Sequence, residues 1–133
     1  MKKLLAIAAL SLFGAGAALA DPVEGMWKTQ PGDSGGWLIV SMYKCGSNVC
    51  GKIAKAYAKD GKVNGSYEHL GKQMISGMSS SDGKSYKGGK IWNPENNKTY
   101  VSTMALSGSK LAVKGCVAGG LICKNAGNWA RTK

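Results

Sequence analysis

The pattern of apolar and polar positions beyond residue 24 is one of short alternating runs separated by turn residues. Trp37 to Tyr43 is the clearest of them, with Leu38, Val40 and Met42 on one face and Trp37, Ile39 and Tyr43 on the other. Ile53 to Tyr57, Gln73 to Met78, Ser85 to Trp92, Thr99 to Leu106, Leu111 to Val117 and Asn128 to Thr132 follow, and Gly25 to Lys28 precedes them. Turn signals fall between the runs. They are Asp60-Gly61, Asn64-Gly65, Asp82-Gly83, Asn93-Pro94 and Ser107-Gly108-Ser109, where Gly and Asn tolerate a left-handed backbone and Pro withholds a ladder donor. About eight short strands at intervals of about ten residues predict an all-β antiparallel sandwich or barrel. No repeat or internal linker divides the run.

The only strong helical window lies at the start. Lys2 and Lys3, an apolar stretch from Leu4 to Phe13 and the small-residue pattern Ala18-Leu19-Ala20 predict a cleaved secretory signal over 1–20, with a domain over 21–133. The apolar core falls short of the roughly 18 residues that a membrane span needs, so no span is expected after cleavage. A periplasmic or secreted location follows. It changes the reading of the four cysteines, Cys45, Cys50, Cys116 and Cys123. An even number of cysteines in a small exported domain implies disulfides, and four allow three pairings. Each close pair brackets a turn-rich tip, Gly46-Ser47-Asn48 or Ala118-Gly119-Gly120, so hairpin geometry favours Cys45–Cys50 and Cys116–Cys123. The spacing fits neither a zinc site nor a redox motif, and no metal or cofactor is expected.

The two ends of the domain favour the barrel. Gly25-Met26-Trp27 opens it and Trp129-Ala130-Arg131 closes it. This arrangement resembles calycin barrels such as lipocalins, in which an early Gly-x-Trp packs at the floor and an arginine of the last strand lies across the indole. The physical content is a cation over an aromatic face, with first and last strands joined so that no sheet edge remains.

A wider resemblance covers nearly all of 21–133. It runs through Gly25-Met26-Trp27-Lys28-Thr29, Tyr43-Lys44-Cys45-Gly46, Cys50-Gly51-Lys52-Ile53, Leu70-Gly71, Gly88-Gly89-Lys90-Ile91-Trp92-Asn93-Pro94, Asn97-Lys98-Thr99-Tyr100, Leu111-Ala112-Val113-Lys114-Gly115 and Trp129-Ala130-Arg131. In these segments the chain resembles the bacterial domain of unknown function 2147, small exported proteins with a lipocalin-like barrel. The resemblance implies the fold and no activity. The family usually has Asp where this chain has Asn93, so no role for a carboxylate at that position carries over, and the stretch from Tyr57 to Leu70 is shorter than in many relatives.

Residues suited to catalysis are sparse. His69 is the only histidine, and the seven acids sit mostly in turns. No triad, paired carboxylates, calcium loop or nucleotide loop can be assembled from them, so a non-enzymatic protein is expected. The domain beyond residue 20 carries 16 basic residues against 7 acids, a net +9. Fifteen of the 16 are lysines rather than the forked arginines that read nucleic acid, and the export signal removes the chain from the cytoplasm, so no nucleic-acid partner is expected. Two functions remain. One is a small apolar or amphiphilic ligand inside a monomeric barrel, lined by Trp37, Ile39, Tyr43, Tyr57, Trp92, Tyr100 and Met104. The other is a basic outer surface that contacts anionic envelope polymers or a protein partner.

Overall fold

A computed structural model describes residues 20–133. The expected export signal lies outside the described residues apart from Ala20. Eight strands follow in chain order: β1 (Gly25–Lys28), β2 (Trp37–Cys45), β3 (Asn48–Tyr57), β4 (Gln73–Met78), β5 (Ser85–Asn93), β6 (Lys98–Ser107), β7 (Lys110–Val117) and β8 (Ile122–Thr132). Each pairs antiparallel with the next, and β1 pairs with β8, so the sheet closes into the expected barrel. A meander of this kind places the β1–β2, β3–β4, β5–β6 and β7–β8 connections at one end. The other end holds the remaining turns and residues 21–24.

Two strands start earlier than the alternation predicts. β3 begins at Asn48 rather than Ile53, and β8 at Ile122 rather than Asn128. Both cysteine tips are tight, so the ladders run through them instead of ending before them. Cys45 faces Asn48 across a two-residue turn, and Cys116 faces Cys123 directly. The bonds are Cys45–Cys50 and Cys116–Cys123, with Cα separations of 5.8 and 4.0 Å. One staples the closed end and the other the open end.

The closed end is filled. Trp27 is fully buried, and its Nε1 donates to the Val23 carbonyl at 2.9 Å. The Arg131 guanidinium lies 4.4 Å from the Trp27 ring centroid and donates to the Glu24 and Pro22 carbonyls at 2.9 and 2.7 Å. This one side chain ties the last strand to the segment that plugs the floor. Asp21 completes the plug by accepting from the Tyr86 hydroxyl and from the Val23 N–H. Above it Met42, Met104, Leu111 and Val113 belong to one buried cluster with Trp27 and Trp129. Ser102, the fully buried polar residue of the interior, donates to the Lys114 carbonyl at 2.7 Å, so its hydroxyl is not left without a partner.

Candidate ligand-binding site

The open end is hollow. A cavity of about 830 Å³ extends from the mouth into the upper half of the barrel. Its inner wall consists of Leu38, Ala56, Met74, Ile91, Tyr100, Gly115 and Trp129, and its rim includes Gln30, Lys59, Tyr67, Glu95, Lys124 and Asn125. The wall is hollow because the inward positions there are small. Ala56 and Gly115 occupy, in β3 and β7, places where a larger residue would reach into the space. Lys124 faces Gly115 in the β7–β8 ladder, so the missing side chain also leaves room beside the lysine.

The rim is organised by side chains that hold turns. Asn93 Oδ1 accepts the Glu95 N–H at 2.9 Å, which builds the β5–β6 turn. An Asp at this position would accept that bond equally well. Asn97 takes a left-handed backbone at φ 58° and accepts from Trp92 Nε1 at 2.9 Å, while Asn96 Nδ2 donates to the Tyr100 hydroxyl at 2.9 Å. The turn therefore sets the Tyr100 ring against the cavity. Glu95 then reaches across the mouth, where one carboxylate oxygen accepts the Asp33 N–H at 2.7 Å and pins the β1–β2 loop. On the far side, Gln30 Oε1 accepts the Asn128 N–H at 3.0 Å. Partial burial, with Glu68 and Glu95 nearby, raises the Tyr67 pKa, so this phenol stays a neutral donor at the rim.

The seven lining residues expected from the sequence are dispersed. Trp37, Tyr57 and Tyr100 border the cavity. Met104 is buried in the packed lower half. Ile39, Tyr43 and Trp92 point to the outer side, because Val40, Met42 and Ile91, their neighbours in the alternation, belong to the interior cluster. Lysine side chains cover much of this outer apolar surface. Lys28 Nζ stands 4.5 Å over Trp37, Lys52 is 5.7 Å over Tyr43 and Lys72 is 4.7 Å over Trp92. Ile39 borders a shallow outer groove with Lys28 and Lys55.

A bulge explains Tyr57. Val40 pairs with Ile53 and Ile39 with Lys55, so Ala54 is an extra residue in β3 and the alternation reverses beyond it. Ala56 faces inward, and Tyr57 stacks on Trp37 at the rim with ring centroids 5.4 Å apart. Leu38, Ala56, Met74, Ile91, Gly115 and Trp129 went unrecognised in the sequence as lining residues. The pattern did carry one usable signal, since Trp92 shares its face with Lys90 and so belongs to the solvent side.

His69 packs between aromatic rings. Its ring meets Trp92 and Tyr67 edge-on at 5.0 and 5.3 Å, and Nε2 lies 3.3 Å from Glu68. All four cysteines are bonded to one another. Among the described residues no cluster of His, Cys, Asp and Glu is arranged to hold a metal ion, and no helix is long and apolar enough to cross a membrane.

No curated protein matches the chain. A solved structure similar to it is that of HP1028 from the human pathogen Helicobacter pylori, described as belonging to the lipocalin family. The two superpose with a TM-score of 0.64 at 19% identity, over 84% of this chain and 83% of that one, a likeness of fold. The family described as "Uncharacterized protein conserved in bacteria (DUF2147)" matches residues 25–131, through both the Trp27–Arg131 closure and the turn that shapes the cavity rim, and the chain belongs to that family.

Proposed function

We propose that the protein is a non-catalytic, exported binder of a small apolar or amphiphilic molecule, held in the open half of the barrel. The observation that carries this reading is the cavity itself. Its volume of about 830 Å³ lies within the roughly 300–1,000 Å³ of small-molecule sites, and its wall is apolar beneath a polar rim. Such a site gains affinity by removing apolar ligand surface from water, at about 25 cal/mol per Å² before the costs of association. Rim groups that remain wet suit a ligand with one polar end. Export is supported by the leader-like first twenty residues and by the two disulfides, which persist in oxidising compartments.

The test combines native mass spectrometry of protein purified from its exported fraction with titration by N-phenyl-1-naphthylamine, an apolar fluorescent probe. A retained lipid-sized mass and saturable probe binding are expected. Ala56→Phe, which projects a ring into the cavity, should weaken the probe at least roughly tenfold while the barrel still melts cooperatively. Wild-type protein that carries no bound mass and shows no saturable uptake would overturn the proposal.

A further inference from the structure

The β7–β8 tip bears an apolar surface that the barrel does not use. Leu121 is 87% exposed, Ile122 53%, Val117 47% and Val101 39%. Leu121 adjoins Ile122 in sequence, and Val101 lies on the outer face of the neighbouring strand, its side chain 4.0 Å from where a Cβ on Gly120 would stand. Val117 faces Ile122 across the hairpin, Val101 faces Cys116 in the adjoining ladder, and the short 3-10 turn Ala118–Gly120 touches β6, β7 and β8. The Cys116–Cys123 bond holds the tip in this shape, so the exposed side chains cannot collapse onto the barrel by unravelling the hairpin. Val117 and Ile122 also border the cavity, which makes the patch continuous with the mouth.

Charge around the tip points to one partner. From Lys98 to the C-terminus the chain has six basic residues and no acid. Lys114 and Lys124 lie in the strands that lead to the tip, and Lys98 begins the strand beside it. The four carboxylates of the open end, Asp33, Asp60, Glu68 and Glu95, lie on the other three loops. An exposed leucine and isoleucine at a stapled tip, backed by lysines on an acid-free sector, is the chemistry that inserts shallowly into a bilayer surface and is drawn to its phosphates. We propose that this tip docks the barrel, mouth inward, on an anionic phospholipid surface.

The docking does not depend on the cavity reading, because it is measured without a ligand. Full-length mature protein is floated with vesicles of phosphatidylethanolamine and phosphatidylglycerol, and with vesicles of phosphatidylcholine alone. Binding to the anionic vesicles should be at least roughly tenfold tighter and should weaken as salt rises. Leu121→Ser combined with Val101→Ser, neither a wall residue of the cavity, should lower vesicle affinity roughly tenfold and leave naphthylamine uptake unchanged. In Leu121→Trp protein, brominated lipid should quench a fluorescence component that wild type lacks. Equal vesicle binding by the double serine variant would overturn the proposal, since lysines elsewhere would then be sufficient. So would absence of binding by wild type, or a concentration-dependent dimer that the double variant abolishes, which would assign the patch to a second copy of the chain.

Discussion

The two ends of the barrel are built from the same strands and differ in what those strands turn inward. Toward the floor, β2 supplies Val40 and Met42, β5 Tyr86, β6 Met104 and β7 Leu111 and Val113, and all are buried. Toward the mouth, the same strands supply Leu38, Ile91, Tyr100 and Gly115, with Ala56 from β3, around open space. An eight-stranded barrel has an interior that side chains can just fill, so a few small residues decide whether a level is solid or hollow. Two glycines show the contrast. A Cβ on Gly51 would lie 2.8 Å from Met42 Sδ, 3.0 Å from Val40 and 3.2 Å from Ile75. A Cβ on Gly115 would sit 3.6 Å from Tyr100 and 3.7 Å from Ile91, which is ordinary contact.

If the floor carries the stability and the mouth the function, substitutions should separate along that line. The largest effect is expected from Trp27→Ala, which removes the floor's main filler, the Val23 hydrogen bond and the surface under Arg131. A loss of about 3–5 kcal/mol in urea unfolding is expected. An equal loss from Leu38 or Tyr100, in the upper wall of the mouth, would dissolve the distinction. Next come the glycines. Gly51→Ala should cost about 1–3 kcal/mol through overpacking, whereas Gly115→Ala, at an ordinary backbone angle with space available, should stabilise by about 0.4–1 kcal/mol. The opposite signs make calorimetric melting of this pair a direct comparison of packing at the two levels.

Tyr86 offers a test through pH. Burial, together with its hydrogen bond to Asp21 and the charge of that carboxylate, raises the Tyr86 pKa well above the usual phenol value. The unfolded chain therefore ionises first on the alkaline side. The stability linked to Tyr86 is fully present below about pH 10 and declines as pH rises beyond it. Tyr86→Phe should cost about 1 kcal/mol at neutral pH and flatten that alkaline decline in denaturation curves. The smallest effect belongs to Asp82, in the β4–β5 turn near the floor. Backbone N–H groups of Ser85 and Lys84, and the Ser80 hydroxyl, donate to its carboxylate and hold its pKa below the ordinary Asp value. Its contribution is present above the ordinary Asp range and is lost as pH falls through the lowered value. Asp82→Asn should therefore lower neutral stability slightly, converge with wild type in acid and so flatten the acid limb.

What could be read in the sequence was local. Alternation with period two marked every strand, turn residues marked the connections, and hairpin tips paired the cysteines, because these features depend on residues a few positions apart. The Trp27–Arg131 closure was legible too, since a cation and an indole at opposite ends of a strand-rich chain match first and last strands that must meet. Inward facing was not legible. Alternation specifies two faces and is indifferent to which is buried, and β2 is apolar on both. Charge did not resolve it there, as Lys44 shares its parity with the buried Met42. Single-residue bulges at Ala54 in β3, and between Tyr86 and Gly89 in β5, then exchange the faces partway along a strand. The chain alone therefore determined the strands, their order and the staples. Closure of the barrel decided which side chains fill it and where Ala56 and Gly115 leave it hollow, because packing volume is set among residues brought together from different strands.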